Sequence, residues 1–362
     1  MGIEEKLKLL EDELARTQKN KATEYHIGIL KAKIAALKRE IIAPKKSGVK
    51  TGGFDVKKSG DATVVFIGLP SVGKSTLLNA LTGAKSKTAS YAFTTLTCIP
   101  GVMEYGGAKI QLLDLPGIIA GAKEGKGRGR EVLAVARNAD LVLILLDVFQ
   151  PGILPAIKEE LAGIGIRLDE KPPQIYLTKK LRGGVEINST VKLTKLNEKM
   201  ILGVLNEYGV HNGAIVFRED ASVEQLIDVM AANRKYIPSL VVLNKVDMVS
   251  DDYLSKIPFE FVPVSAEKSQ NIEVLKKAIF DRLKMMRVYT KPRMEEADLK
   301  EPMMMRTGAT IEDACNRLHR DLVRDFKYAL VWGKSAKFPG QKVGLEHVLQ
   351  EGDIFSIIKK QG

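Results

Sequence analysis

The sequence predicts an α/β chain: a doubly wound sheet with helices on both faces, a helical hairpin before it, an inserted α/β lobe within it and a small β-rich unit after it. Three observations point there. Near-continuous apolar runs (ATVVFIG, AKIQLLD, ADLVLILLD, PSLVVLNK, FEFVPVS) alternate with helical stretches such as STLLNALTG and NIEVLKKAIFDRLKMM, the pattern of parallel strands buried on both faces. A strand–helix–strand step takes about 30 residues, yet Leu141 and Leu240, on two successive runs, are 99 residues apart. The first 50 residues are apolar at heptad-like steps and carry 12 basic against 7 acidic side chains.

Composition bounds the function classes. The chain has 362 residues, 45% of them hydrophobic, and 56 Lys and Arg against 44 Asp and Glu, a net charge of +12. That is enough apolar material for two or three domains and excludes wholesale disorder. The longest apolar run near the middle, Leu141 to Leu146, is far short of the ~18 residues that cross a bilayer. The opening MGIEEKLKLL has no apolar signal segment, so no secretory route and no membrane partner are expected. Cys98 and Cys315 stand far apart, which excludes a disulfide framework and a cysteine zinc site and suits a reducing, cytoplasmic location. A pI near 9.4 points to a polyanionic partner, nucleic acid ahead of a membrane surface.

Along the chain, Ile3, Leu7, Leu10 and Leu14, then Ile27, Leu30, Ile34, Leu37 and Ile41, each mark one apolar stripe. The two stripes predict a basic hairpin over 1–50 that must pack on itself or on a partner, with Pro44–Gly53 as a flexible linker. The doubly wound domain is placed at 58–288. The extra residues inside it hold their own elements (PPQIYLTKK, GGVEINST, KLNEKMILGVLNEYG, GAIVFRED, SVEQLIDVMAA), so a lobe is expected over about Lys171–Tyr236. Its segment 176–200 has 6 basic and 2 acidic residues. The last unit, 289–362, combines short strands (RVYTK, ALVWGKS, QKVG, DIFSIIKK) with a helix IEDACNRLHRDLV capped by Thr310.

The strongest motif is Gly68-Leu-Pro-Ser-Val-Gly73-Lys74-Ser75, which matches GxxxxGK[ST] between a strand and a helix. Its backbone amides turn inward on polyanionic phosphate, and the helix N-terminus adds its positive end. Lys74 is placed for the β/γ-phosphates, and the Ser75 hydroxyl can ligate Mg²⁺. Asp114-Leu-Pro-Gly117 ends the next run, where Asp114 can hold Mg²⁺ through water and the Gly117 amide can sense the γ-phosphate. Asn244-Lys245-Val-Asp247 ends PSLVVL. The Asp247 carboxylate can accept from guanine N1–H and N2–H₂, whereas adenine would leave it unpaired. The Lys245 stem can lie over the base, and Ser265-Ala266 is placed for a backbone contact to guanine O6.

These pieces in this order resemble the translation-factor class of P-loop GTPases. Tyr91-Ala-Phe93-Thr94-Thr95-Leu narrows the resemblance to the Obg-related GTPases, in which the second threonine ligates Mg²⁺ and contacts the γ-phosphate, a role carried to Thr95. The full layout resembles the developmentally regulated GTP-binding proteins of archaea and eukaryotes. That resemblance implies a C-terminal TGS domain of β-grasp fold, a GTP-hydrolysing switch, a role in translation on the ribosome and a dedicated regulatory partner protein. A monomer is expected. The expected nucleotide site comprises Gly68, Pro70, Ser71, Val72, Gly73, Lys74, Ser75, Thr76, Phe93, Thr94, Thr95, Asp114, Gly117, Asn244, Lys245, Asp247, Ser265, Ala266 and Glu267. Within it Lys74, Thr95 and Gly117 are the expected catalytic residues and Ser75, Thr95 and Asp114 the Mg²⁺ ligands.

Two departures bear on rate. Ile118, followed by Ile119, stands where many small GTPases carry a water-orienting Gln, so intrinsic hydrolysis is expected to be slow. Some relatives use a potassium ion held partly by an Asn in the phosphate loop; here that position is Ser71, which leaves potassium open. Lys123–Arg130 holds four basic residues and three glycines: a solvated switch loop, an RNA contact, or the source of an Arg that approaches the nucleotide. Arg317, Arg320, Arg324 and Lys327 are spaced for one helical face, either an ordinary charged surface or an RNA contact. The rival functions are an ATP-using phosphotransferase, which Asn244 and Asp247 oppose, and a nucleic-acid-binding scaffold with regulatory GTP binding and little turnover.

Overall fold

A computed structural model describes residues 2–42, 60–82, 99–114, 138–292, 297, 299–319 and 321–360. The linker Pro44–Gly53, Cys98, the segment Tyr91–Leu96 with Phe93, Thr94 and Thr95, the run Gly117 to Ile119, Lys123–Arg130 and Arg320 lie outside the described residues. The fold is a P-loop GTPase domain with a C-terminal TGS domain, and the described chain divides into two compact units.

One unit joins Phe54–Leu161 to Ile237–Gly362. Its six-stranded sheet has the order β11-β10-β4-β1-β3-β2, built from β1 (Ala62–Ile67), β2 (Ile99–Tyr105), β3 (Ala108–Asp114), β4 (Leu141–Asp147), β10 (Ser239–Asn244) and β11 (Val262–Pro263). Every residue of β1 and Leu141–Leu146 of β4 is buried, which explains their unbroken apolar runs. Helices α3 (Lys74–Thr82), α4 (Leu154–Gly163), α7 (Asp251–Ser255) and α8 (Ile272–Arg282) belong to the same stretch of chain. Leu77, Leu78 and Leu81 of α3 and Leu275 and Ile279 of α8 fill the core against the strands.

The five runs expected as parallel strands pair in parallel, and the sheet gains at its edge an antiparallel strand that was not expected. β2 pairs antiparallel with β3 through Gly106 and Gly107, at φ 58° and 85°, the positive values that a two-residue hairpin turn demands. The FEFVPVS run contributes only Val262–Pro263 as strand.

The C-terminal sheet of the same unit has the order β13-β12-β16-β14-β15: β12 (Met285–Thr290), β13 (Met303–Arg306), β14 (Phe326–Trp332), β15 (Gln341–Val343) and β16 (Ile354–Lys359). Helix α9 (Ile311–Leu318) starts at a Thr310–Asp313 capping box and seats Ile311, Ala314 and Cys315 in this core. Here an expectation fails. The helix stops at His319, which is extended at φ −165° and ψ 136°. Only a short α10 (Asp321–Arg324) follows, and Lys327 lies in β14, where the burial pattern changes to that of a strand. No single basic helical face runs from Arg317 to Lys327. Two ion pairs run from this part of the unit to the residues that precede β1 and β4: Arg306 of β13 to Asp140 at 2.7 Å, and Arg317 of α9 to Asp61.

The other unit joins Met1–Gly53 to Ala162–Tyr236. Helices α1 (Ile3–Arg16) and α2 (Glu24–Ile42) form the hairpin. The lobe contains β5 (Ile166–Leu168), β6 (Ile175–Lys179), β7 (Val185–Ser189), α5 (Glu198–Glu207), β8 (Gly213–Phe217), α6 (Val223–Ala231) and β9 (Lys235–Ile237). Its main sheet has the order β6-β8-β7, with β6 antiparallel and β7 parallel to β8. Ala32 and Ala35 of α2 share one core with Met200, Ile201 and Val204 of α5 and Leu226 and Ile227 of α6. The Ala32–Ala35 face of α2 is thus covered by the lobe. Asp228 is clamped inside this unit by Arg167, whose Nε and Nη2 donate at 2.7 Å each, and by Arg234 Nε at 2.8 Å. No helix among the described residues is long and apolar enough to cross a membrane.

Candidate nucleotide-binding site

The C-terminal ends of β1, β3, β4 and β10 place the candidate residues at one edge of the parallel strands, where ligands of open α/β sheets bind. From β1 the chain turns through Gly68–Gly73 into α3. Ser71 and Gly73 take φ 64° and 91°. A side chain at Gly73 is excluded twice: by that φ, and because its Cβ would lie 2.4 Å from Asn244 Nδ2. Lys74 Nζ donates to the carbonyls of Gly68 at 3.0 Å and Leu69 at 2.8 Å, so the ammonium is held over the loop. Pro70, Ser71, Ser75 and Thr76 are exposed, and Val72 is buried beneath them.

Asp114 ends β3 against this loop. Its carboxyl hydrogen-bonds the Ser75 side chain and faces Lys74. Burial pushes the Asp114 carboxyl up, while Lys74 and Ser75 pull it back. Burial likewise lowers Lys74, opposed by the Asp114 charge. Two of the three oxygen donors expected to serve Mg²⁺, Ser75 and Asp114, therefore touch each other, and a hydroxyl beside a carboxylate is the hard donor chemistry that ion takes.

At the other end of the site, Asn244 is buried and works as a bracket. Its Nδ2 donates to Val72 O at 2.8 Å, and its Oδ1 accepts from Ala266 N at 3.0 Å. One side chain thereby holds the phosphate loop in register with the loop after β11. Lys245, at φ 67°, reaches Asp147 Oδ2 at 2.6 Å. Asp247 faces the Ser265 hydroxyl and lies 3.1 Å from Lys268 Nζ. Those two donors, Ser265 first, hold its carboxyl below the usual carboxylate range. Ser265 and Ala266 are buried, and Glu267 is exposed.

The described candidates from Gly68 to Thr76, Asp114, Asn244, Lys245, Asp247 and Ser265 to Glu267 are thus all gathered at this edge. Phe93, Thr94, Thr95 and Gly117 lie outside the described residues. A family model described as a 50S ribosome-binding GTPase matches residues 63–180, the C-terminal region of that domain matches 182–285, and the TGS domain matches 286–359. An uncharacterized GTP-binding protein of Methanocaldococcus jannaschii is 52% identical over 100% of this chain and 94% of its own. Developmentally-regulated GTP-binding protein 2 of Homo sapiens is 49% identical over 99% of this chain and 100% of its own, and developmentally-regulated G-protein 2 of Arabidopsis thaliana is 50% identical over 100% and 92%. The chain belongs to the developmentally regulated GTP-binding protein family. The solved structure of the Schizosaccharomyces pombe YchF GTPase covers 83% of this chain and 99% of its own at 14% identity, with a TM-score of 0.43.

Two polar groups in this family member's site escape a motif reading. Lys268, three residues beyond Ser265, is the cation opposite Asp247. Asp147, the acid that ends the apolar run of β4, anchors Lys245. Each had a visible signal, a charge at the end of a strand or just after a loop motif, but only pairing in space gives it a partner.

Proposed function

We propose that this GTP-binding protein is a GTP-hydrolysing switch that acts in translation on the ribosome. The observation that carries the reading is the Asn244 bracket, because it couples the loop suited to phosphates to the loop suited to guanine. In this reading the backbone amides of Gly68–Ser75 grip the phosphates, Lys74 supplies charge at the β/γ-phosphates, and Asp247 selects guanine with Ser265 and Ala266 beside it. Ser75, Asp114 and Thr95 would hold Mg²⁺, which when bound neutralises phosphate charge. Thr95 and Gly117 would report the γ-phosphate. Ile118 cannot hydrogen-bond water, so intrinsic turnover is slow and another group, or a potassium ion near Ser71, raises it.

The net charge of +12 and the ribosome-binding description of the matching family model support a ribosomal role with RNA contacts from the hairpin, the lobe and the TGS domain. A cytoplasmic monomer with a regulatory protein partner completes the reading. The test is GTP turnover by the full chain with purified ribosomes, in potassium and in sodium. Stimulation by ribosomes is expected; turnover that stays absent with ribosomes and potassium would favour a scaffold that binds GTP without hydrolysing it.

A further inference from the structure

The lobe's three-stranded sheet has one face in its core and one in solvent. Ile175, Ile215 and Phe217 are buried. On the other face, register sets Tyr176, Val216 and Asn188 in one row and Thr178, Ala214 and Glu186 in the next. Tyr176 is a large aromatic ring left 54% exposed there. Arg218, the next outward position after Val216, lays its guanidinium 4.9 Å from the centre of that ring. The last residue of β6, Lys179, and the turn after it, with Lys180 and Arg182, are exposed at the rim, and Leu181 is fully exposed between the last two. Lys180 pairs with Glu186 at 2.7 Å, and no described carboxylate pairs with Lys179 or Arg182.

We propose that this face binds single-stranded RNA, with a base stacked on the Tyr176–Arg218 pair and phosphates running over the Lys179–Arg182 turn. The chemistry favours that occupant. Every base offers a π-face to an aromatic ring or a guanidinium plane, and unpaired cations at the rim meet phosphate. Asn188 and Thr178 offer hydrogen bonds to base edges in the same rows. A duplex keeps its bases stacked inside and cannot use the ring. The inference rests on the ribosome-and-RNA reading above.

The test uses the full chain and a labelled, mixed-sequence single-stranded RNA of about 16 nucleotides, followed by fluorescence anisotropy at two salt concentrations. Tyr176→Ala is expected to weaken binding about tenfold, and Tyr176→Phe, which keeps the ring, to stay within about twofold of the original. Lys179→Glu with Arg182→Glu should weaken binding and flatten its salt dependence. GTP affinity should be unchanged in all three. If the unsubstituted chain binds RNA and ribosomes but Tyr176→Ala binds equally well, the face is wrong and the broader reading survives. Equal competition by the duplex also overturns the face. If the unsubstituted chain binds neither RNA nor ribosomes, both fall.

Discussion

Asp247 and Asp147, at the candidate nucleotide site, lie against lysines, whereas Asp228, inside the lobe, lies against two arginines. The difference is one of exchangeability. A lysine is a hydrated point charge on a flexible stem, and a guanidinium is a rigid fork that matches a carboxylate twice over. Lys268 is 65% exposed opposite an Asp247 that is 15% exposed, so its ammonium can leave for water when a base arrives. Arg167 and Arg234 are only 14% and 9% exposed around an Asp228 at 4%, and they cannot. A carboxylate whose partner can depart is available to a ligand, while one whose partners cannot is committed to the fold.

Removing each carboxylate in turn should separate the two roles. The largest effect belongs to Asp247→Asn. A site built to hydrogen-bond a base rejects one lacking the right donors by about 10⁴-fold, so GTP affinity should fall by that order and xanthosine triphosphate should be preferred. Thermal stability should change little, because the Lys268 end of the pair is open to water and a pair screened in that way contributes little. Nucleotide competition decides it, and unchanged GTP affinity would remove the assignment of the base pocket. Asp228→Ala should do the reverse. Two buried guanidinium groups lose their counter-charge, at a cost of about 3–5 kcal/mol, so unfolding by heat or denaturant should come earlier while GTP affinity holds. A drop in GTP affinity as large as that of Asp247→Asn would end the division proposed here.

Asn244 sharpens the comparison because it should move both readouts. Asn244→Ala leaves Val72 O and Ala266 N buried without their partner, about 1–3 kcal/mol of stability, and frees the two loops from each other. Asn244→Asp keeps the acceptor for Ala266 N but sets a buried carboxylate oxygen against Val72 O, so in calorimetry and in GTP titration it should do no better than Asn244→Ala.

Local physics made part of this legible from sequence. The apolar run of β4 could only be a strand covered on both faces, and Gly68–Ser75 states its own geometry because phosphate recognition is built from consecutive backbone amides. Heptad-like steps marked the hairpin but said nothing about what covers it, since the core shared by Ala32, Ala35 and α5 joins positions more than 160 residues apart. The Asp228 clamp was invisible for the same reason: Arg167 is 61 residues away. His319 illustrates a different failure. Charges continue at helical spacing across it, and the switch to a strand is decided by Phe326, Ala329 and Val331 entering, from a strand, the same core that α9 enters from a helix. The Gly106-Gly107 turn was readable and would have revealed the antiparallel edge.

The smallest effect expected is at Tyr236, which touches the same clamp from its rim. Its hydroxyl donates to Asp228 Oδ2 at 3.4 Å, a long bond to a carboxylate already held by two guanidinium groups. Tyr236→Phe should therefore cost only about 0.5 kcal/mol at neutral pH. Alkali should expose its role. Burial first, and the Asp228 charge second, push the phenol up from 10.0 to about 12. The folded state thus keeps a proton that the unfolded chain gives up. Tyr236 then contributes stability that is fully present below pH 10 and is lost as the pH rises towards about 12. Melting temperature followed from pH 9 upward should fall less steeply in Tyr236→Phe than in the original chain. Parallel slopes would mean that the phenol ionises as freely folded as unfolded, and that the arginines shield it from the Asp228 charge.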